Sequence, residues 1–300
     1  MLKPTVDIGI PALNEEENIR QLLESLLSQS EKGFSLRKIF VCSDGSTDKT
    51  VTEVKKIKDQ RIKLIIGKQR KGNGVRQNEI LSLAQADSLV ILNADILIKD
   101  KEFVARLVKP VLEGKADLVS PALCELPPRN FLEKVLALSL LVKKEAFENY
   151  NGGVNLLNCH GAARAFSQKL YRKLRFPQTV GEDAFGFLFC LYHGFTYLYL
   201  PEAVCYFRLP GNFTDHQRQS LRYFATQKIM TSFFPKSFVQ NAYHFPKKLL
   251  LQSFSYYVFK KPIHCLVYII WLFTLRVKAL FSQSTSYTWE IAKSSKAVYD

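Results

Sequence analysis

The sequence predicts an α/β protein built on a mostly parallel sheet with helices on both faces. Apolar β-type segments alternate with amphipathic helical ones from residue 5 to residue 121, in the order β-α-β-α-β-α-β at the start. Short connections join these segments, as expected of crossovers between parallel strands. Polar and acidic residues directly follow several of the apolar segments, at the sheet edge where open α/β sheets bind ligands.

Each predicted element follows from the spacing of its apolar residues. The first strand, residues 5–11, leads into a helix for which Asn14 is the expected N-cap and Glu17 its capping-box partner. That helix carries one apolar stripe and should end near Ser30. The later strands are predicted at 38–42, 62–66, 89–92 and 117–121, and the later helices at 75–86, 101–113 and 131–148.

Beyond residue 150 the pattern is less regular. Residues 157–166 are predicted to be extended, and two acids open an apolar helix at 181–193. Two strands are expected at 197–200 and 203–209, followed by a polar helix from Asp215. The apolar, aromatic stretches 249–258 and 263–275 come next, bracketed by lysines and arginines. We therefore predict an α/β domain at 1–235 and a helical region at 236–300.

Composition bounds the function only loosely. The 300 residues are 47% hydrophobic, enough for a large core, and their net charge is +15. Such a basic chain suits nucleic acid, an anionic membrane or a phosphorylated substrate. The six cysteines include no C-x-x-C pair and are expected to be reduced thiols in a cytosolic protein. The N-terminus runs straight into a strand, so we expect no signal peptide.

The C-terminal apolar stretch 263–275 raises the question of a membrane. As a helix its thirteen residues would rise only about 20 Å, whereas a span needs about 20 residues. We therefore expect this region to lie on the membrane, with flanking side chains such as Lys260 and Arg276 reaching toward headgroups. A helix packed in the protein core is the alternative.

Acidic side chains at strand ends are the main functional signal. Asp95 follows the apolar run 89–92, where a carboxylate can hold a divalent cation against a diphosphate, although it could also cap a turn. Asp44 follows the second strand in the same way. The basic, glycine-rich loop 67–74 precedes a predicted helix, an arrangement that can face phosphate.

Taken together, these segments resemble the glycosyltransferase family 2 enzymes with the GT-A fold. The resemblance runs from Asp7 to about Tyr223, most of the chain. Residues 10–15 (IPALNE) resemble the nucleotide-facing loop of that family, and 43–48 (SDGSTD) its D-G-S-x-D turn. The remaining matches are 71–78 (KGNGVRQN) to K-G-x-x-x-A-x-N, 93–95 (NAD) to D-x-D, 182–183 (ED) to the E-D pair, and 219–223 (QSLRY) to Q-x-x-R-W.

The resemblance implies an inverting glycosyltransferase that uses a UDP- or GDP-sugar, a divalent cation (Mg²⁺ or Mn²⁺) and a glycan or lipid-linked acceptor. It implies Asp183 as the general base that takes the acceptor proton. The expected donor-binding residues are Pro11, Leu13, Asn14, Glu15, Asp44, Gly72, Arg76, Asn93, Ala94 and Asp95. The expected acceptor or diphosphate contacts are Glu182, His216, Gln219, Arg222 and Tyr223, and the expected metal ligands are Asp95 and His216.

The chain departs from the family pattern at two positions. Asn93 replaces the first acid of D-x-D, so a metal would depend on Asp95, and Tyr223 replaces the tryptophan of Q-x-x-R-W. A nucleotidyltransferase is an alternative, but it would have no use for the Q-x-x-R-Y segment. A nucleic-acid-binding protein is another, but acids at successive strand ends would repel phosphate without a metal. We expect no nucleic-acid partner, and a location at the cytoplasmic face of the cell membrane.

Overall fold

The centre of the molecule is a twisted sheet. The structure, a computed structural model, describes residues 3–179, 181–281 and 293–299. Within these residues the sheet contains seven strands. They are β1 (Thr5–Ala12), β2 (Ser35–Ser43), β3 (Ile62–Ile66), β4 (Ser88–Leu92), β5 (Leu118–Glu125), β6 (Ala163–Ser167) and β7 (Tyr197–Phe207).

The strand order creates a binding crevice. The strands lie in the order β3-β2-β1-β4-β6-β5-β7, and only the two pairings of β6 are antiparallel among those described. The chain continues from β1 to β2 and β3 on one side, whereas β4 lies on the other side of β1. The order therefore reverses between β1 and β4, and open α/β sheets bind ligands at the carboxyl ends of strands at such a switch point.

Helices cover both faces of this sheet. In the part of the chain that the structure describes, they are α1 (Ile19–Leu27), α2 (Thr50–Lys56), α3 (Asn73–Leu83), α4 (Phe103–Leu112), α5 (Phe131–Asn149), α6 (Gln168–Tyr171), α7 (Glu182–Tyr192), α8 (Phe213–Met230), α9 (Lys236–Tyr243), α10 (Lys247–Lys260) and α11 (Pro262–Phe281). Short 3-10 turns occur at Tyr150–Gly153, Leu156–Asn158 and Lys293–Ser295.

The alternation of side chains along β4 explains the two cores. Val90 and Leu92 belong to the core beneath α1 and α4, whereas Leu89 and Ile91 belong to the core beneath α3 and α7. All of these side chains are fully buried. Full burial of one such side chain contributes about 1.5–3 kcal/mol, so apolar residues on both faces of one strand require helices on both sides. The predicted fold class is confirmed.

Several local predictions are wrong. The first helix begins at Ile19 and not after Asn14, whose backbone is left-handed (φ 53°) and whose side chain accepts a hydrogen bond from the Thr47 amide. The expected capping box therefore does not form. Residues 157–166 begin in a 3-10 turn before strand β6, and residues 197–207 form one strand with an irregular register where two were expected.

The C-terminal helices also differ from expectation. Helix α11 is 20 residues long, with a mean hydropathy of 1.6, and is long and apolar enough to cross a membrane. The premise that this stretch is too short to cross is therefore wrong. One side of α11 packs on the rest of the protein, where Cys265 and Leu275 are buried. The other side carries an exposed apolar stripe, formed by Ile263, Leu266, Ile270, Phe273, Val277 and Leu280.

Packing continues beyond residue 235, where we predicted the domain to end. Val239 of α9 is fully buried in the core beneath α3 and α7. Val298, near the C-terminus, is 3% exposed. The division into residues 1–235 and 236–300 stays a prediction, but the later region supplies side chains to the α/β domain.

Candidate active site

Two acids meet at the switch point of the sheet. Glu15 follows β1 and Asp95 follows β4. Burial, together with the charge of Asp95, raises the pKa of Glu15 to about 7. Burial also raises the pKa of Asp95, against the opposing effects of Lys296 and Arg222. We call these two carboxyl groups the floor of the crevice. The charges of Lys296 and Arg222 act on them.

Lys296 is the residue that sequence reasoning missed. Its Nζ donates to the carbonyl oxygens of Leu13 (2.6 Å) and Asn14 (2.9 Å) and to the Glu15 carboxylate. Lys296 and Glu15 lie 281 positions apart. Because no motif in the sequence surrounds Lys296, only the folded chain reveals that it belongs to the crevice.

The nucleotide-facing loop and the D-G-S-x-D turn hold each other in place. The Asn14 amide donates to Ser46 Oγ (3.1 Å), and the Asn14 side chain accepts from the Thr47 amide (2.9 Å). The Glu15 amide donates to Thr50 Oγ1 (2.7 Å). The side chains of Ser46 and Thr50 thus accept from backbone amides of the loop, and the Asn14 side chain accepts from the backbone of the turn, which fixes the rim of the crevice.

Asp44 and Arg76 form the second support of this rim. Asp44 accepts hydrogen bonds from the amides of Lys71 (2.7 Å) and Gly72 (2.9 Å) and from Arg76 Nε (2.8 Å). The other guanidinium nitrogens of Arg76 bind the Glu79 carboxylate and a backbone carbonyl. Both side chains are almost fully buried. The structure therefore uses Arg76 to hold the glycine-rich loop and does not present it to a diphosphate.

The segment 93–95 offers the expected oxygen ligands. The backbone of Asn93 is fixed by a hydrogen bond from its amide to the Ala162 carbonyl (2.9 Å), and Ala94 is 2% exposed. Asp95 and Asn93 remain partly accessible, whereas Pro11 is buried within β1. In the described ranges no group of three or more His, Cys, Asp or Glu side chains could hold a metal. A carboxylate with an amide oxygen nevertheless fits Mg²⁺ or Mn²⁺, because such cations often take one or two carboxylates together with substrate phosphates and water.

A second acidic pair opens helix α7. Glu182 accepts hydrogen bonds from the Asn73 side chain and, through its carbonyl, from Arg164 (3.1 Å). Asp183 Oδ1 accepts from the Ala184 amide (2.8 Å), an interaction local to the helix start. A Cβ atom at Gly161 would lie 4.0 Å from Asp183 Oδ2, so the glycine leaves space on one side of this carboxylate.

Helix α8 connects the two acidic pairs. The charge of Arg222 lowers the pKa of both Asp95 and Glu182, against the larger effect of burial, and so its guanidinium lies within reach of both sides of the crevice. Tyr223 follows it, is 52% exposed, and lies within electrostatic reach of Asp183. The structure thus brings Glu15, Asp95, Glu182, Asp183 and Arg222 to one crevice.

The structure does not support His216 as a metal ligand. Its Nδ1 accepts a hydrogen bond from Trp271 Nε1 (2.8 Å), and its Nε2 lies 3.4 Å from Ser220 Oγ. Burial lowers the pKa of this imidazole to about 4. The reason is helical geometry, because residues six positions apart, such as His216 and Arg222, point in different directions from a helix.

Gln219, expected to contact the acceptor or the diphosphate, has a different partner. Its Nε2 lies 3.5 Å from Ser295 Oγ, in the C-terminal segment that carries Lys296. Gln219 therefore connects helix α8 to that segment.

Comparison with known proteins identifies the family. Residues 7–175 match the sequence model described as glycosyl transferase family 2. The chain belongs to this family. The predicted family is confirmed. The matched range contains the crevice residues Glu15 and Asp95 and ends before the E-D and Q-x-x-R-Y segments, whose roles stay predictions.

Similar proteins extend this finding. The chain is 31% identical over 109 residues to an uncharacterized glycosyltransferase of Haemophilus influenzae, covering 36% of this chain and 42% of that protein. It is 37% identical over 90 residues to an Escherichia coli enzyme named UDP-Glc:alpha-D-GlcNAc-diphosphoundecaprenol beta-1,3-glucosyltransferase WfaP, covering 30% of this chain and 35% of that one. The chain thus spans less than half the length of these curated relatives.

The fold is shared with solved glycosyltransferases. The mannosyltransferase PcManGT from Pyrobaculum calidifontis, solved with GDP-Man and Mn²⁺, superposes with a TM-score of 0.67 at 19% identity, covering 95% of this chain and 89% of that one. Glucosyl-3-phosphoglycerate synthase from Mycobacterium tuberculosis, solved with Mn²⁺, UDP and phosphoglyceric acid, gives a TM-score of 0.53 at 17% identity and covers 76% of this chain and 78% of that one.

Proposed function

We propose that this family 2 protein is an inverting, metal-dependent glycosyltransferase acting at the cytoplasmic face of the cell membrane. It transfers a sugar from a UDP- or GDP-sugar to a glycan or lipid-linked acceptor. The observation that carries the proposal is that the Asn93 amide bonds to the Ala162 carbonyl (2.9 Å), beside Gly161, whose open side faces the Asp183 carboxylate. The segment 93–95 and the E-D pair therefore lie close together, and the charge of Arg222 acts on both Asp95 and Glu182. Cleavage of a sugar nucleotide places negative charge on the diphosphate, and the acceptor must lose a proton.

On the donor side, Asp95 is the proposed anchor for a divalent cation, and Asn93, two residues before it, is the proposed source of a neutral oxygen ligand. When bound, such a cation neutralises charge that develops on the leaving diphosphate. Arg222 adds a fixed positive charge on the same side of the crevice. The Pyrobaculum enzyme, which shares this fold, was solved with GDP-Man and Mn²⁺, which is consistent with a divalent cation in the proposed reaction.

On the acceptor side, Asp183 is the proposed general base. Its carboxylate lies at the start of α7, beside the space left by Gly161. It would take the proton of the acceptor hydroxyl as that oxygen attacks the anomeric carbon. A single displacement of this kind inverts the anomeric configuration, and no covalent intermediate is required. The ring of Tyr223, which is 52% exposed and lies within electrostatic reach of Asp183, offers a stacking surface for an acceptor sugar.

The membrane location rests on the surface of α11. The exposed apolar stripe repeats at alternating intervals of three and four residues, which places its members on one side of α11. On the opposite side, Trp271 donates to His216, and Lys278 donates to Gln217 (2.7 Å). A helix that crossed the membrane would have to leave these contacts with α8, so they favour a helix lying in the membrane surface.

A lipid-linked acceptor agrees with this location. The name of the Escherichia coli relative specifies a diphosphoundecaprenol acceptor. In this chain α11 packs against α8, and Arg276 of α11 lies within electrostatic reach of the Tyr223 hydroxyl. A membrane-bound acceptor could therefore present its sugar to Asp183 while its lipid stays near the exposed apolar stripe.

Donor binding tests this proposal against the two alternatives. UDP-sugars, GDP-sugars, nucleoside triphosphates and oligonucleotides would each be added with Mg²⁺ or Mn²⁺, and the shift in melting temperature measured. A ligand at 100 times its Kd stabilises by about 2.7 kcal/mol, so the true donor should raise the melting temperature clearly. Shifts with triphosphates alone would favour a nucleotidyltransferase, and shifts with oligonucleotides alone a nucleic-acid-binding protein.

Asp95→Ala identifies the metal anchor in the same assay. It should abolish metal-dependent donor binding, whereas Asn93→Asp should preserve or strengthen it. Asp100→Ala is the matched control, because Asp100 lies outside the crevice with a side chain 38% exposed. Calorimetry that finds unchanged metal-dependent binding in Asp95→Ala would remove Asp95 from this role.

A further inference from the structure

The last residues of the chain cross the donor side of the crevice. We call residues 294–299 the C-terminal strap. At its start, the amide and hydroxyl of Ser294 donate to Asp215 Oδ2 (3.0 and 2.6 Å), and Ser294 Oγ accepts from the Gly211 amide (3.0 Å). Further along, Asn18 Nδ2 donates to the Lys296 carbonyl (2.7 Å). The strap thus runs from the start of α8 to the start of α1.

The strap is built into the folded domain. Its anchors Asp215 and Asn18 are 5% and 0% exposed, and Val298 is 3% exposed. The Val298 amide donates to Asn18 Oδ1 (3.2 Å), so the Asn18 side chain holds the strap on both sides of Lys296. Tyr299 packs against the core beneath α1 and α4. Buried polar anchors and apolar contacts at both ends fix the position of Lys296.

The ammonium of Lys296 is matched to the loop it touches. It has three N–H donors, and three acceptors surround it, namely the carbonyls of Leu13 and Asn14 and the Glu15 carboxylate. Two successive carbonyls converge on it where Asn14 adopts its left-handed conformation. Without the ammonium, these three oxygens would repel one another, because no positive charge would lie between them.

The same ammonium affects the electrostatics of the crevice floor. Lys296 lowers the pKa of both Glu15 and Asp95, so its charge reaches the two acids at the switch point. A nucleoside diphosphate brings further negative charge to this place. A fixed cation on the strap therefore reduces the repulsion that a diphosphate would meet there.

We propose that the C-terminal strap is part of the donor site and that Lys296 is a positioning residue for a nucleoside diphosphate. Lys296 holds the loop 13–15 in its binding conformation and offsets the negative charge of the crevice floor. This inference rests on the proposed function, because it assumes that the crevice binds a nucleoside diphosphate. The proposed cation and Arg222 offset the charge of Asp95, and Lys296 offsets that of Glu15, whose carboxylate its ammonium contacts.

Lys296→Met tests the inference because it removes the charge and keeps an unbranched side chain. The dissociation constants of UDP and GDP, with Mg²⁺ or Mn²⁺, should rise at least tenfold, and donor KM should rise with kcat within about twofold. Hydrogen exchange of the Asn14, Glu15 and Glu16 amides should accelerate in the donor-free protein. These amides are bound to side chains of Ser46, Thr50 and Asp48, so their exchange reports opening of the loop.

Lys109→Met is the matched control, because Lys109 lies on α4 with a side chain 71% exposed. It should leave both readouts unchanged. If Lys296→Met does not fold, Ser294→Ala weakens the strap and retains Lys296, and it should raise the same dissociation constants about threefold.

The outcomes separate the two proposals. A wild-type protein that binds no nucleoside diphosphate would overturn the proposed function, and this inference with it. A wild type that binds one, with equal or tighter binding in Lys296→Met, would overturn the inference alone. Unchanged amide exchange in the loop would also overturn it.

Discussion

The two sides of the crevice differ in how firmly their motif residues are held. On the donor side, Asp44 and Arg76 have side chains 6% and 4% exposed and are bonded to each other. The Asn14 backbone and side chain are bonded to the neighbouring turn. On the acceptor side, Asp183 is bonded only to its own helix start among the hydrogen bonds described, and Tyr223 is 52% exposed.

This difference separates two uses of a motif. Asn14, Asp44 and Arg76 build a rigid rim on the donor side, and their side chains are bonded to neighbouring groups of the protein. On the acceptor side, Asp183 and Tyr223 keep groups accessible for a reacting molecule. Substitutions in this rim should therefore cost stability together with binding, whereas substitution of Asp183 should cost turnover alone.

The largest effect is expected from Asp183→Asn on the acceptor side. The amide oxygen can still accept from the Ala184 amide, so the helix start should persist. It cannot take a proton, and loss of a general base typically lowers turnover about 10²- to 10⁴-fold. Initial rates of sugar transfer measure the loss of turnover, and calorimetry measures donor affinity. Donor affinity and melting temperature should match the wild type.

Asp100→Asn controls for the change of carboxylate to amide outside the crevice. Near-normal turnover in Asp183→Asn would place the base elsewhere, and Glu182 would be the first replacement to test. A lowered melting temperature would contradict the contrast between the two sides, because it would give Asp183 a structural role as well.

The next effect is expected from Asp44→Asn on the donor side. The neutral amide would leave the guanidinium of Arg76 buried with one carboxylate partner fewer, and breaking a buried pair typically costs about 3–5 kcal/mol. The Glu79 carboxylate remains, so we expect about 3 kcal/mol at most. Urea unfolding and nucleotide calorimetry should show stability and affinity falling together. Lost affinity at unchanged stability would instead indicate that Asp44 mainly contacts the nucleotide.

The sequence predicted the sheet well because its physical signals are local. The apolar runs of β1 to β4 and the polar residues that follow them are contiguous in the chain, so the positions of Glu15 and Asp95 at the crevice could be predicted. The direction in which each side chain points was harder to predict. Whether Arg76 faces a ligand or Asp44 depends on partners about thirty positions away, and the fate of His216 depends on Trp271, 55 positions away.

The residues that sequence reasoning missed depend on still longer separations. Lys296 reaches the loop after β1 across 281 positions, with no periodic pattern to mark it. The length of the C-terminal helix was underestimated for another reason. A charged residue, Arg276, interrupts its apolar run in the sequence, but in the structure Arg276 lies over the Phe224 ring of α8 and the helix continues to Phe281.

The smallest effect is expected from substitutions in the exposed apolar stripe of α11, which packs against the acceptor-side helix α8. Leu266 and Phe273 of the exposed apolar stripe are 59% and 69% exposed. Full burial of one such side chain is worth about 1.5–3 kcal/mol, and only about two thirds of each remains to be buried by a membrane. At the lower end of that range, replacing both with serine should weaken binding to anionic liposomes by about 2 kcal/mol, a factor of roughly 30. Flotation measures this, with Ile66→Ser/Leu191→Ser as the matched control because Ile66 and Leu191 are 53% and 37% exposed on other elements. If both double variants float like the wild type, the stripe is not the membrane contact. A loss confined to the Leu266/Phe273 pair would place the membrane beside α8, and hence beside the accessible residues of the acceptor side.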